Sequence, residues 1–206
     1  MGVGNAVATT ESEQVGLPDP IEFSALPVEE AIAGRRSIRE FVDAPLSDDV
    51  ISRLLWSAQG ITDAARGLRA TPSAGATYPL EFYWIDRRGV FRYVPEDHGI
   101  EKVVSGDHRS ALSEAALGQR VIEEAPVSFI ITAVLSRTAG RYGEMRAERY
   151  VHMESGHAAQ NIHLQAVALE LGSVPVGAFQ DDQVQSVLNL PQDHEPLYII
   201  PVGAPR

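Results

Sequence analysis

The sequence predicts a domain in which a mixed β-sheet carries helices packed around it. Three observations point there. Helical and strand-like segments do not alternate strictly along the 206 residues, so the regular repeat of a doubly wound nucleotide-binding sheet is missing. Three short β-prone runs, Glu81 to Asp86, Val90 to Val94 and Ile100 to Val104, follow one another across the turn formers Arg87-Arg88-Gly89 and Asp97-His98-Gly99, the pattern of a meander. Val127 to Leu135 (VSFIITAVL) is apolar and rich in β-branched residues without a break, as in a strand covered on both faces.

Residues 1–22 combine Gly, Ala, Thr, Glu and two prolines without an apolar period, and are expected to be a flexible arm. The folded domain is expected from about Ile21, over residues 23–206. A helix opens at Pro27, a favoured first helical position, and stops at Gly34. A second follows Ser47 as N-cap, with Asp48 and Asp49 in its first turn and Val50, Ile51, Leu54 and Leu55 as its apolar stripe, and runs to about Gly60. Gly67 to Pro79 has neither period and reads as a loop. After the meander, Ser110 to Leu117 forms a short helix. The longest element is a helix from about Glu148 to Leu171, with Gly172 as its stop. Ser173 to Phe179 is extended, Asp181 or Asp182 caps a helix through Leu188, and Leu197 to Val202 is a final buried strand.

Composition narrows the function. There are 17 basic against 28 acidic residues, a formal charge of −11, which repels nucleic-acid phosphates and anionic lipid. No stretch approaches the ~20 apolar residues that span a bilayer, and no basic cluster followed by an apolar run marks a leader, so membrane partners are not expected and the cytoplasm is the expected compartment. The chain has no cysteine, which removes disulfides, thiolate metal sites and a cysteine nucleophile. Redox chemistry here needs a bound cofactor.

Three segments carry candidate chemistry. Arg35-Arg36-Ser37-Ile38-Arg39 sets three guanidinium groups and a hydroxyl within five residues of an acidic chain, a donor set suited to phosphate; the competing reading is that arginines at a helix end complement its dipole. Pro72-Ser73-Ala74-Gly75, in the longer run Thr71 to Pro79, has small residues that let a flat ligand approach the backbone. Pro175-Val176-Gly177-Ala178 offers a similar combination, with Pro175 fixing the path and Gly177 leaving its N–H unshielded. There is no GxGxxG and no GxxxxGK[ST]. His152, His157 and His163 lack the i, i+4 metal spacing and read as exposed or hydrogen-bonded helix residues, so no metal is expected.

In this order and separation the segments resemble the FMN-dependent nitroreductase family, and within it the azoline (thiazole/oxazole) dehydrogenase-like branch, from about Leu26 to Val202. The matching motifs are R-R-S-x-R (Arg35, Arg36, Ser37, Arg39), P-S-A-G-x-x-Y-P (Pro72 to Pro79), G-H-A-A-Q-N (Gly156 to Asn161) and L-G-x-x-P-[IV]-G-A-F (Leu171 to Phe179). The resemblance implies an α+β fold with a mainly antiparallel sheet surrounded by helices, forming an intertwined homodimer with FMN at the interface. It implies that Arg35, Arg36, Ser37 and Arg39 hold the FMN phosphate and the polar edge of the flavin. Pro72, Ser73, Ala74 and Gly75 come from the partner subunit, and an N–H of the Pro175-Val176-Gly177-Ala178 stretch reaches the flavin N5. It further implies hydride transfer from NADH or NADPH to a small acceptor, a nitroaromatic or quinone, in alternating half-reactions. Ala76 and Tyr78 replace the Asn and Gln of ordinary nitroreductases and favour the azoline-related branch. That branch carries a Lys-Tyr pair before Gly to handle a proton. Here the pair is Arg141-Tyr142, the sole candidates for catalytic side chains, and an arginine with pKa above ~12 is a poor base. Oxidation of an azoline-containing peptide or heterocycle, and flavin binding without turnover, are the alternatives.

Overall fold

The computed structural model describes residues 14–20 and 25–206. The elements in chain order are β1 (Gln14–Gly16), α1 (Val28–Gly34), α2 (Asp48–Gln59), β2 (Ile61–Asp63), β3 (Leu68–Arg69), a 3-10 turn (Ala74–Ala76), β4 (Leu80–Asp86), β5 (Gly89–Val94) and β6 (Gly99–Ser105). There follow α3 (Arg109–Ala115), α4 (Arg120–Glu124), β7 (Val127–Ala133), α5 (Leu135–Tyr142), α6 (Glu144–Ala168), β8 (Gly172–Ser173), α7 (Asp181–Leu188) and β9 (Glu195–Gly203).

Seven strands form one sheet in the order β1-β6-β5-β4-β7-β9-β8, every strand pair antiparallel; β2 and β3 form a separate small ribbon. Period-2 alternation divides the central strands between two cores. Phe82 and Trp84 of β4, Phe129 and Ile131 of β7 and Ile200 of β9 meet Ile51, Leu54 and Leu55 of α2 and Val151, Ala158 and Ile162 of α6. Tyr83, Ile85, Ile130 and Ile199 point the other way, onto Leu112 of α3 and Val184 and Leu188 of α7. The sheet is thus a middle layer, as the unbroken apolar run of β7 requires: all seven of its residues are buried. Truncating a side chain such as Phe129 to alanine in such a layer costs about 3–5 kcal/mol.

Ser47 caps α2 as its sequence predicts, accepting from the Val50 N–H at 3.4 Å. Elsewhere boundaries move for physical reasons. The expected arm is a strand over Gln14–Gly16, paired with Glu101 to Gly99, and the adjoining Pro18 carbonyl accepts from Ser52 Oγ at 2.6 Å. All three strand residues are exposed, so no alternation advertises it. The rest of the arm to residue 13, and the expected start of the domain at Ile21, lie outside the described residues. Strand β7 stops at Ala133, and Leu135 opens α5. The long helix ends at Ala168, where Glu170 at φ 58° turns the chain and the Leu171 N–H returns to the Ala166 carbonyl at 2.8 Å. Gly172 serves the next element instead: a Cβ there would lie 2.6 Å from Ile38 Cβ. Gln180, not an aspartate, occupies the N-cap of α7. Among the described residues no helix is long and apolar enough to cross a membrane.

Candidate functional site

The sequence-predicted residues fall into two groups, each supported from beneath by α6. The first is built on β8, where the chain after α1 lies along Ser173: the two serines Ser37 and Ser173 bridge in parallel and the Ile38 N–H donates to the Ser173 carbonyl at 3.1 Å. Beyond β8 the chain continues as an edge alongside β9, with the Val174 and Val176 N–H groups donating inward to Pro201 (3.2 Å) and Ile199 (2.8 Å). Alternation turns the intervening positions outward. Pro175 has no N–H to offer, so the outward donor is Gly177, whose N–H meets no acceptor among the described residues. Gly177 is exposed and borders a cleft of about 720 Å³ lined also by His152, Ser155, Phe179, Asp181 and Tyr198. A Cβ at Gly177 would find nothing nearer than Tyr198 Cε1 at 3.8 Å.

The arginines of this group are unusual in an acidic chain. Ion pairs engage Arg66, Arg69, Arg87, Arg88, Arg92, Arg109, Arg120 and Arg137. The guanidinium groups of Arg35 and Arg39 have no hydrogen-bond or ion-pair partner among the described residues. Arg36 differs: its Nη1 donates to the carbonyls of Ala33 (3.0 Å) and Arg35 (2.7 Å), closing the end of α1 in the dipole-complementing manner weighed from sequence. Beneath them is a residue the sequence did not single out for the site, His163 of α6, 5% exposed, with Nδ1 2.7 Å from Ser173 Oγ and a buried Nε2 that has no partner among the described residues. Burial, reinforced by the Arg35 charge, pushes its imidazole down to about 4.

The second group is the Pro72–Gly75 loop. Gly75 (φ 61°), Ala76 (φ 54°) and Tyr78 (φ 43°) all take the left-handed region, which costs a non-glycine residue on the order of 1–3 kcal/mol and persists only where the surroundings enforce it. The enforcement is visible. The Tyr78 N–H donates to Ser73 Oγ (2.9 Å), Arg69 stacks 4.6 Å from the Tyr78 ring centre, and Thr77 Oγ1 lies 2.8 Å from Thr138 Oγ1. Arg141 Nη1 donates to the Gly75 carbonyl at 3.2 Å, and Tyr142 stands so close that a Cβ on Gly75 would come within 2.6 Å of its hydroxyl. The structure therefore brings the two candidate catalytic residues onto this loop, with Arg141 acting as a clamp. Under the loop is Glu154 of α6, 3% exposed. Burial raises its carboxyl to about 7 against the opposing influence of Ser73, Arg69, the Ala74 N–H and Gln59. Glu154, Gln59 and Thr138 were missed in sequence; the available signal was a carboxylate in register with Val151, Ala158 and Ile162 on the buried stripe of α6.

The nitroreductase family model matches residues 32–204. This chain belongs to the nitroreductase family. Among its relatives is a nitroreductase-type protein of Methanocaldococcus jannaschii, 42% identical over 199 residues, spanning 94% of this chain and 97% of that one. The trifolitoxin-processing protein TfxB of Rhizobium leguminosarum is 30% identical over 162 residues, 70% of this chain but 43% of its own length. A nitroreductase-type crystal structure from Ralstonia eutropha superposes with TM-score 0.85 at 28% identity, covering 98% of this chain and 93% of that chain. The family is one of oxidoreductases, typically flavin-dependent, and this chain's relatives include the trifolitoxin-processing protein TfxB.

Proposed function

We propose that this nitroreductase-family chain is a cytoplasmic FMN-containing oxidoreductase that takes hydride from NADH or NADPH and reduces a small acceptor, a nitroaromatic or quinone, the two substrates reacting alternately. The observation that carries this reading is the edge on β8: two arginines without acidic partners among the described residues of a chain of charge −11, and an outward N–H at Gly177, unshared among those residues, beside an open cleft. Ser173 to Gly177 spans four residues of extended chain, about 13 Å, a separation suited to a ligand with a phosphate at one end and a ring at the other. The donor set fits FMN. Arg35, Ser37 and Arg39 would take the phosphate and polar edge, and Gly177 would present its N–H to the ring. FMN, when bound, supplies the two-electron chemistry.

This chain's own residues bind and orient. The arginine charges favour an anion and the negative charge that develops at the ring edge, while the Gly177 donor is fixed by the β9 ladder and needs no reorganisation. Glu154 and His163, under the two groups, are nine residues apart on α6, about 13 Å along its axis. The reading includes a homodimer in which the Pro72–Gly75 loop of one copy completes the arginine edge of the other. Arg36 is engaged at its helix end and stands outside the phosphate set.

The likeness to TfxB favours a second reading, oxidation of an azoline-containing peptide or heterocycle. The Arg141 contact with Gly75 weighs against it, since that guanidinium clamps a loop and is no base. Absorbance from 350 to 500 nm on purified protein, then anaerobic titration with NADH and NADPH, is the test. A flavin spectrum bleached by one nicotinamide and restored by a quinone or nitroaromatic is expected. No flavin uptake from added FMN would overturn the proposal; uptake with no reduction by either nicotinamide would leave a flavin-binding protein without this activity.

A further inference from the structure

His163 differs from its neighbours on the buried side of α6. Ala159, Ile162 and Ala166 are apolar, yet here a polar ring is buried and its Nε2 has no partner among the described residues. An unpaired ring nitrogen in such a place costs stability, and an aliphatic side chain would fill it without that cost. What the ring gains is Ser173, itself buried, whose Oγ lies 2.7 Å from Nδ1. A polar pair of this kind does not serve to fill a core; it ties one backbone to another.

The backbone so tied has a short ladder of its own. Strand β8 is two residues long and pairs with β9 through Gly172 to Gly203 and Ser173 to Val202. On its other side it carries the arginine segment. Ser37 bridges Ser173 in parallel, the Ile38 N–H donates to the Ser173 carbonyl at 3.1 Å, and Ile38 sits so close over Gly172 that a Cβ there would lie 2.6 Å from its own. Arg35 and Arg39 flank Ser37 two residues to either side, so a shift of Ser37 moves both. We propose that His163 is the positioning residue of the arginine edge: through its contact with Ser173 it holds β8 in the register on which Ser37 and Ile38 are laid, and so sets where Arg35 and Arg39 meet an anion. A histidine suits the place. A carboxylate would pair with the arginines and a further cation would crowd them, whereas an imidazole that burial keeps neutral holds Ser173 and leaves the charge above it unchanged. That the anion is the FMN phosphate rests on the function proposed above; the effect on the segment does not.

Replacing both members of a buried polar pair by apolar groups is nearly neutral for the core, which separates positioning from filling. The test is amide hydrogen exchange of Ile38, followed by NMR in the full-length protein beside urea unfolding of the same samples. In His163→Leu/Ser173→Ala the core is expected to unfold no more easily than in wild type, while Ile38 exchanges about fivefold faster, the weight of one hydrogen bond. His163→Asn sets an amide near the place of Nδ1 and is expected to restore most of the wild-type Ile38 rate. In fluorescence titrations the double variant is expected to bind FMN about fivefold more weakly and riboflavin as before. An unchanged Ile38 rate in the double variant, a rate in His163→Asn equal to it, or an FMN affinity that the double variant leaves untouched overturns the proposal. A faster Ile38 in protein that takes up no FMN supports it while removing the flavin reading, and FMN uptake with an unmoved Ile38 does the reverse.

Discussion

Glu154 and His163 share the buried side of α6, one beneath the Pro72–Gly75 loop and the other beneath the arginine edge, and burial drives them in opposite directions. The carboxyl is raised from 4.5 to about 7, and the imidazole is lowered from 6.5 to about 4. Each is thereby held neutral in the fold near pH 6. The regions above them differ in the same way. The loop is strained and tied down by Tyr78, Thr138 and Arg141, whereas the arginine edge has no left-handed residue and keeps its donors unused among the described residues. A surface that must be shaped is built from satisfied groups under strain; one that must bind is left relaxed and unsatisfied.

The largest expected effect separates the two titrations. Between about pH 4.5 and 7 the folded chain keeps a proton on Glu154 that the unfolded chain has released, so this group makes stability fall as pH rises. Between about pH 4 and 6.5 the unfolded chain holds a proton on His163 that the folded chain refuses, so stability rises with pH. Each contribution is on the order of 3 kcal/mol, and across the shared window they offset. Chemical denaturation from pH 4.5 to 6.5 should show Glu154→Gln gaining stability with pH and His163→Gln losing it, relative to wild type. Parallel profiles would break the comparison.

Backbone strain gives the next test. Gly75→Ala forces a side chain onto a φ of 61° and against Tyr142 and Arg141, and should cost about 1–3 kcal/mol in urea unfolding. Gly177→Ala meets only Tyr198 Cε1, at an ordinary contact distance of 3.8 Å, and should stay within about 0.5 kcal/mol of wild type. Equal costs would mean that the edge is as constrained as the loop. The smallest effect belongs to Arg36→Ala, which removes only the bonds closing α1. A loss of about 0.3–1 kcal/mol in thermal unfolding is expected, with FMN affinity unchanged in a fluorescence titration.

How much of this was legible in sequence follows from what each residue has to advertise. Ser47 with Asp48 and Asp49 announces α2 because a cap and its first turn are local, and VSFIITAVL announces a central strand because burial on both faces leaves no polar position. Strand β1 has no such mark, since three exposed residues gain their structure from Glu101, Ile100 and Gly99, far along the chain. Helix α5 begins inside an apolar run that reads equally well as more strand. In the site, the arginine cluster, the small-residue loop and the Pro175–Ala178 edge were visible as composition. The division of labour between Arg36 and its neighbours depends on where α1 ends in space, and Glu154 and His163 become meaningful only when Ser73 and Ser173 are seen above them.

The central claim is that the guanidinium groups of Arg35 and Arg39, without partners among the described residues, exist to hold a phosphate. Fluorescence titration of FMN against riboflavin, in wild type and in Arg35→Ala/Arg39→Ala, tests it most directly. Wild type should bind FMN at least about a hundredfold more tightly than riboflavin, at roughly 1.5–3 kcal/mol per charged contact, and the double variant should lose most of that difference while riboflavin affinity stays put. Equal affinity of the wild type for the two flavins would contradict the account.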